Sequence, residues 1–81
     1  MKITDAQLEN WFTYHSPKMD QVPKYQAIRE AGKHLARTIV ENCPEGEDAA
    51  GAVWKVREAV MAANQAIACD SSGLEDQAAS A

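Results

Sequence analysis

The strongest chemical signal in the sequence is the stretch NWFTYHSPK, which covers residues 10–18. It contains three of the chain's five aromatic residues, together with a histidine and a lysine. Tyr14 and His15 are amphipathic and directly precede a proline-bounded loop, so their rings can stay accessible. Aromatic faces stack on unpaired nucleobases, at about 1–3 kcal/mol per base, and neighbouring cations such as Lys18 contact phosphates. The stretch therefore predicts a ligand site.

Positive charge is concentrated beside this stretch. Residues 15–37 hold five Lys or Arg and two acids, or +3, whereas the rest of the chain holds three basic and ten acidic residues, or −7. The overall charge of −4 argues against duplex nucleic acid as a partner, because such binding depends on phosphate neutralisation. A basic segment on an acidic body favours a small anionic ligand, and a solvated helix face is the alternative. The candidate contacts are Lys18, Lys24, Arg29 and Lys33.

A short helix must position the aromatic residues. The sequence TDAQ predicts a capping box, with Thr4 as the N-cap and Gln7 three residues later. Pro17 forces its predecessor into extended backbone, so this helix should end near Tyr14 or His15. The apolar residues of the helix recur at helical spacing and are predicted to be core: Leu8, Trp11 and Phe12.

Two longer helices follow, and each carries one apolar stripe. On the second helix, which Pro23 opens, the stripe steps by 3, 4, 3 and 4 residues: Tyr25, Ile28, Gly32, Leu35 and Ile39. On the third helix, for which Asp48 is the predicted N-cap, it steps in the same way: Val53, Val56, Val60, Ala63 and Ile67. The intervening NCPEGED reads as a turn, so the two helices should form an antiparallel hairpin. Gly32 on the stripe indicates close approach of the two backbones.

The third helix carries a second apolar stripe, Trp54, Met61 and Ala68, which one hairpin partner cannot cover. We expect the N-terminal helix and a second subunit to cover it, because 81 residues supply only a small core. The predicted fold class is all-α: a short N-terminal helix plus an antiparallel two-helix hairpin, assembled as an oligomer. Residues 1–70 form the predicted domain, and residues 71–81 are predicted to be a mobile tail.

No pattern in the sequence indicates catalysis, a metal site or a cofactor. Cys43 and Cys69 should lie roughly 30 Å apart, at opposite ends of the hairpin, as buried or half-buried free thiols. Neither forms a marked nucleophile–base pair with a histidine, and the ligands for a metal site are too few. No apolar run approaches the about 20 residues that span a bilayer, and no signal-peptide pattern opens the chain. We predict a cytosolic binding protein with no membrane partner.

Several segments together resemble a known family. WFTYHSPK, QVPKYQAIREAGKHLARTIVENCPE and AVMAANQAIA resemble, in order and spacing, the phage sponge proteins that block CBASS immunity and the hairpin domain they share with the anti-Thoeris sponges. The family pattern reads FTYHPP, KYEAIR, a CP turn and AVMWANAAIAR, and the resemblance covers roughly residues 11–69. This chain departs from the pattern at Ser16, Ala62 and Cys69, where the family has proline and often has tryptophan and arginine.

The resemblance implies a small helical protein, typically a hexamer built from dimers, that binds cyclic oligonucleotide second messengers between subunits. It implies sequestration without cleavage in the cytoplasm of an infected bacterial host, so no enzyme activity is expected. Tyr14 matches a tyrosine that stacks on a nucleobase, and Arg29 matches a basic residue that contacts the ligand from the partner subunit. The missing cation at Cys69 is expected to weaken phosphate contacts or to change ligand choice.

The sequence leaves two functions open. The leading prediction is a sponge for cyclic oligonucleotides: cyclic dinucleotides, cyclic trinucleotides or cyclised ADP-ribose. The alternative is a structural or protein-interaction hairpin with no nucleotide ligand. A pocket between subunits that holds Tyr14 and Arg29, within the diffuse positive field of Lys18, Lys24 and Lys33, favours the sponge. Burial of Tyr14 in a monomer core favours the alternative.

Overall fold

The computed structural model describes residues 2–70 and folds them into three α-helices, with no strand in this part of the chain. Helix α1 spans Asp5–Phe12, α2 spans Val22–Asn42 and α3 spans Glu47–Ala68. The all-α prediction is confirmed for these residues, and none of the three helices has the length and apolar character to cross a membrane. The predicted tail lies outside the described residues.

The capping box at the start of α1 is confirmed. The backbone N–H of Gln7 donates to Oγ1 of Thr4 at 3.1 Å, and the backbone N–H of Thr4 donates to Oε1 of Gln7 at 2.8 Å. Each side chain thus satisfies a backbone donor of the first turn that has no partner within the helix.

The predicted end of α1 is wrong, because the helix stops at Phe12. The Thr13 hydroxyl donates to the carbonyl of Glu9, and the His15 ring donates to the carbonyl of Asn10. These two carbonyls would otherwise accept the backbone N–H groups of a further turn. Local side-chain bonds therefore compete with the helix and end it before the proline takes effect.

Glycine sets the start of α3. Gly46 is the N-cap and has φ 153°, a conformation that residues with a Cβ rarely adopt. The prediction that Asp48 is the N-cap is therefore wrong. Asp48 lies with Glu47 in the first turn, where carboxylates interact favourably with the positive end of the helix. Pro23 lies in the first turn of α2, as predicted.

Helices α2 and α3 form the predicted antiparallel hairpin. Gly32 faces Val60 so closely that a Cβ added to the glycine would lie 2.5 Å from Cγ2 of the valine. At the open end, the side-chain amide of Gln21 donates to the carbonyl of Ile67 at 3.2 Å. The start of α2 thus meets the end of α3, as antiparallel helices require.

The seam of α2, the row of half-buried positions that faces α3, differs from the predicted stripe at one position. Leu35 is 50% exposed, and Ala36 is half-buried in its place. The half-buried positions therefore step by 3, 4, 4 and 3 residues: Tyr25, Ile28, Gly32, Ala36 and Ile39. Because the two helices approach closely at the glycine, a small residue one turn later suits the seam better than leucine does.

Helix α1 lies beside the open end of the hairpin. The side-chain amide of Asn10 donates to the carbonyl of Cys69 at 2.9 Å. Within residues 2–70, the helices that pack closely against each other are α2 and α3, and α1 does not join them. The predicted core residues of α1 are all exposed, so that prediction is wrong for the single chain: Leu8, Trp11 and Phe12, the last at 85%.

The single chain has no fully buried side chain in residues 2–70. Trp54 is 57% exposed and Met61 is 59% exposed, so the expected cover of this stripe by α1 is wrong.

Both cysteines are free thiols, as predicted, and Cys69 is half-buried. Cys43 is exposed, contrary to the prediction, because it is the C-cap residue of α2 and lies at the turn, beyond the seam.

We expect light scattering to show an oligomer at micromolar concentration. Apolar burial contributes about 25 cal/mol per Å2, so the exposed surfaces of Trp54 and Met61 favour association with a second chain. The measurement is a dilution series, with a monomeric protein of similar mass as the control. A stable monomer over the whole series would contradict the expectation.

Candidate ligand-binding site

Tyr14 lies in the extended segment between α1 and α2, with 83% of its surface exposed. The helix ends at Phe12, so Tyr14 lies beyond its last turn. The burial in a monomer core that would favour an interaction hairpin is not observed. Both faces of a ring in this position are accessible to a planar partner such as a nucleobase.

His15 secures the segment that carries Tyr14. Its Nε2 lies 2.7 Å from the carbonyl of Asn10, and because a carbonyl only accepts, the ring donates from Nε2. Asn10 in turn donates to the carbonyl of Cys69 at the end of α3. A chain of two hydrogen bonds therefore links the tyrosine segment to the hairpin. This geometry gives His15 a positioning role, and direct contact between His15 and a ligand stays a prediction.

Three cations line one cavity between α2 and α3, of about 280 Å3, which we call the cation cavity. Arg29 and Lys33 lie one turn apart on α2, and Arg57 lies opposite them on α3. The other lining residues are apolar: Gly32, Ala36, Val56, Val60 and Met61. No carboxylate lines the cavity, and within residues 2–70 no ion pair joins these cations to an acid. The arrangement suits an anion with an apolar part.

Arg57 is the cation that the sequence analysis missed. Its guanidinium carbon lies 4.3 Å from the centre of the Trp54 ring, within the range of a cation–π interaction. The signal was present in the sequence, because residues three apart on a helix are neighbours on its surface. The apolar stripe accounts for Trp54 as an interface residue and gives no indication of its pairing with the arginine.

Lys18 and Lys24 lie elsewhere, in a separate cavity of about 270 Å3 at the open end of the hairpin. Two acids, Asp20 and Asp70, line the same cavity. Positive charge is therefore partly neutralised there, in contrast to the cation cavity. The predicted cations thus divide into two groups, and only Arg29 and Lys33 line a cavity that has no carboxylate in its lining.

Tyr14 does not line the cation cavity that contains Arg29. The tyrosine follows α1 at the open end of the hairpin, whereas Arg29 lies beside the mid-hairpin contact between Gly32 and Val60. Within a single chain, the two predicted ligand residues are therefore not in one pocket.

The opposite flank of the hairpin has a different character. A shallow groove of about 520 Å3 runs along it, and Lys55 is its only charged lining residue. Its other lining residues are small or aliphatic: Ile28, Ala31, Gly32, Leu35, Val56, Ala59, Val60 and Ala63. The hairpin therefore presents a cationic flank and an apolar flank, and only the first offers several groups for a phosphate.

The cation cavity lacks the groups that most often act as nucleophiles or bases. Its lining has no serine, cysteine, histidine or carboxylate that could act as a nucleophile or base. In residues 2–70, no group of three or more His, Cys, Asp or Glu side chains is placed to hold a metal ion. The described geometry supports binding of an anion.

The fold defines a class: a small all-helical hairpin domain with an exposed aromatic segment and a cation-lined flank. A family model described as the Acb2/Tad1 hairpin domain matches residues 4–68, which include all three helices. The chain belongs to this family, that of the anti-CBASS and anti-Thoeris sponges. Its members are known to sequester ligands and are not known as enzymes. Neither a curated protein nor a solved structure matches the chain.

Proposed function

We propose that the protein is a phage immune-evasion sponge that binds cyclic oligonucleotide second messengers and holds them without cleavage. Cyclic dinucleotides are the first ligand class, and cyclic trinucleotides are the second. The protein would act in the cytoplasm of the infected bacterial host, where it would lower the free concentration of the immune signal. Family membership supports the class of function, and the exposed Tyr14 ring supports the ligand class.

The observation that carries the proposal is the separation of Tyr14 from Arg29. One is an exposed aromatic ring, and the other is a cation without a carboxylate partner in the described chain. In a two-fold dimer, each pocket would receive Tyr14 from one chain and Arg29 from the other. The two-fold axis repeats this pairing, so the dimer offers two rings and two cations, which match a ligand with two bases and two phosphates. We further propose that these dimers assemble into a hexamer, which would cover the exposed stripe of α3.

Isothermal titration against a panel of cyclic nucleotides tests the proposal. The panel contains cyclic di-AMP, cyclic di-GMP, cyclic tri-AMP and cyclised ADP-ribose, with AMP and a linear dinucleotide as controls. We expect at least one cyclic compound to bind much more tightly than the linear controls, because a ring fixes its phosphates and bases before binding. If a folded oligomer binds none of the panel, the protein-interaction hairpin becomes the better explanation.

We expect bound nucleotide to be recovered intact. The lining of the cation cavity has no serine, cysteine, histidine or carboxylate, so it offers none of the usual nucleophiles or bases for hydrolysis of a phosphodiester bond. The complex is incubated for hours, denatured by heat and analysed by chromatography, with free nucleotide treated identically as the control. A linearised or hydrolysed product above that control would show that an active site exists.

A further inference from the structure

We infer that Arg57 is a further ligand-binding residue, which holds one phosphate of the ligand while Arg29 holds another. The inference rests on the proposed function, because it extends the same site across the hairpin to α3. Arg57 lies outside the local motifs of the sequence and outside the three quoted segments that resemble the family. The ligand class is a nucleotide with at least two phosphodiester groups.

The positions of the cations along the hairpin support two separate phosphate contacts. Arg29 and Arg57 each lie three residues before the contact pair Gly32 and Val60. Because the helices are antiparallel, the two arginines lie on opposite sides of that contact, about 9 Å apart along the hairpin axis at 1.5 Å per residue. Lys33 lies one residue past the glycine, on the side nearer Arg57. The cavity therefore has a cation at one end and two at the other.

The charges around the cavity favour an anionic occupant. Three positive side chains surround about 280 Å3, and no carboxylate lines it. The three positive charges repel one another, and the repulsion is relieved when an anion lies between them. Lys18 and Lys24 have acids beside them at the open end, so the same argument does not apply there.

The Trp54 ring holds Arg57 ready for a phosphate. The guanidinium carbon lies 4.3 Å from the ring centre, which restricts the motion of a long side chain. In stacked geometry the N–H groups at the edge of the guanidinium stay free, and their fork matches two phosphate oxygens. Lysine has no such fork. Met61 also lines the cavity and belongs to the stripe that a second subunit is expected to cover, so assembly would help to enclose the ligand.

Titration of the full chain with cyclic di-AMP, in three variants, tests the inference. Arg57→Gln should weaken binding roughly 10- to 100-fold, the loss of one charge-assisted contact. Arg57→Lys should recover only part of that loss. Lys55→Gln is the matched control, because it removes the same charge two residues away on α3 but lines the apolar flank, and it should change binding less than about twofold. Circular dichroism checks that each variant keeps its helices.

The resonance of the Trp54 indole N–H provides a second readout, with Trp11 as the internal reference and pyrophosphate as an additional probe. If cyclic di-AMP binds the parent, and Arg57→Gln binds it as well as Lys55→Gln does, the inference is wrong and the proposed function stands. If no cyclic nucleotide binds, but pyrophosphate shifts the Trp54 resonance in the parent and not in Arg57→Gln, the proposed function fails and the anion site at Arg57 stands. If neither probe shifts Trp54, the inference is overturned.

Discussion

Replacing Tyr14 with alanine is expected to weaken the binding of a cyclic dinucleotide by about 1–3 kcal/mol for each stacked base, or roughly 5- to 150-fold. The ring is 83% exposed and lies beyond the end of α1, so its removal should leave the fold intact. Isothermal titration measures the loss. Tyr14→Phe is the matched control, because it keeps the aromatic face and should bind nearly as well as the parent.

Arg29 is the second half of the same prediction. Arg29→Ala should remove a charge-assisted contact of about 1.5–3 kcal/mol, and Arg29→Lys should restore it only in part, because lysine lacks the bidentate fork. Both variants should remain folded oligomers by light scattering. The site is assigned to the wrong residues if the parent protein binds a cyclic dinucleotide and both Tyr14→Ala and Arg29→Ala bind it equally tightly.

Two identical substitutions should have opposite effects on stability. Gly32→Ala places a Cβ at 2.5 Å from Cγ2 of Val60, whereas a Cβ at Gly51 meets nothing within 4 Å. Both glycines lie inside helices, so alanine should add about 0.5–1 kcal/mol of helix propensity at each. Overpacking at Gly32 should cost about 1–3 kcal/mol, which cancels or exceeds that gain. Gly51→Ala should therefore stabilise the protein, and Gly32→Ala should not.

Urea unfolding at one fixed protein concentration measures the difference. Val60→Ala in the Gly32→Ala background should recover part of the loss, because it removes the methyl group that the new Cβ meets. Equal stabilisation by Gly32→Ala and Gly51→Ala would show that the hairpin seam is looser than the structure indicates.

Local chemistry made much of the fold predictable. The reciprocal bonds of Thr4 and Gln7 involve neighbours, and Pro23 and the NCPEGED turn act through backbone geometry within a few residues. The stripes identified the two long helices and their pairing. The predicted stripe has Leu35 where Ala36 lies, because a strict 3.5-residue period drifts relative to the 3.6 residues per turn of an α-helix.

The placement of α1 was not predictable from such patterns. It involves two hydrogen bonds between Asn10 and Cys69, 59 positions apart in the chain: the Asn10 amide donates to the Cys69 carbonyl, and the Cys69 thiol donates to the Asn10 carbonyl. Apolar periodicity assigns Phe12 to a core, but no other helix within residues 2–70 covers it. The site was predictable in its residue types and not in their grouping. Arg57 comes from a different helix than Arg29, and the cavity that joins them exists only once the hairpin has formed.

The absence of any fully buried side chain in residues 2–70 has a thermodynamic consequence. Once neighbouring chains complete the core, as proposed, folding depends on mass action, so the melting temperature should rise with protein concentration. A messenger bound across two chains would then stabilise the folded assembly as well as occupy it, by about 2.7 kcal/mol when free ligand is at 100 times its Kd. Folding, association and capture of the signal would form one linked equilibrium, and the assembly would be hardest to take apart while the signal is abundant.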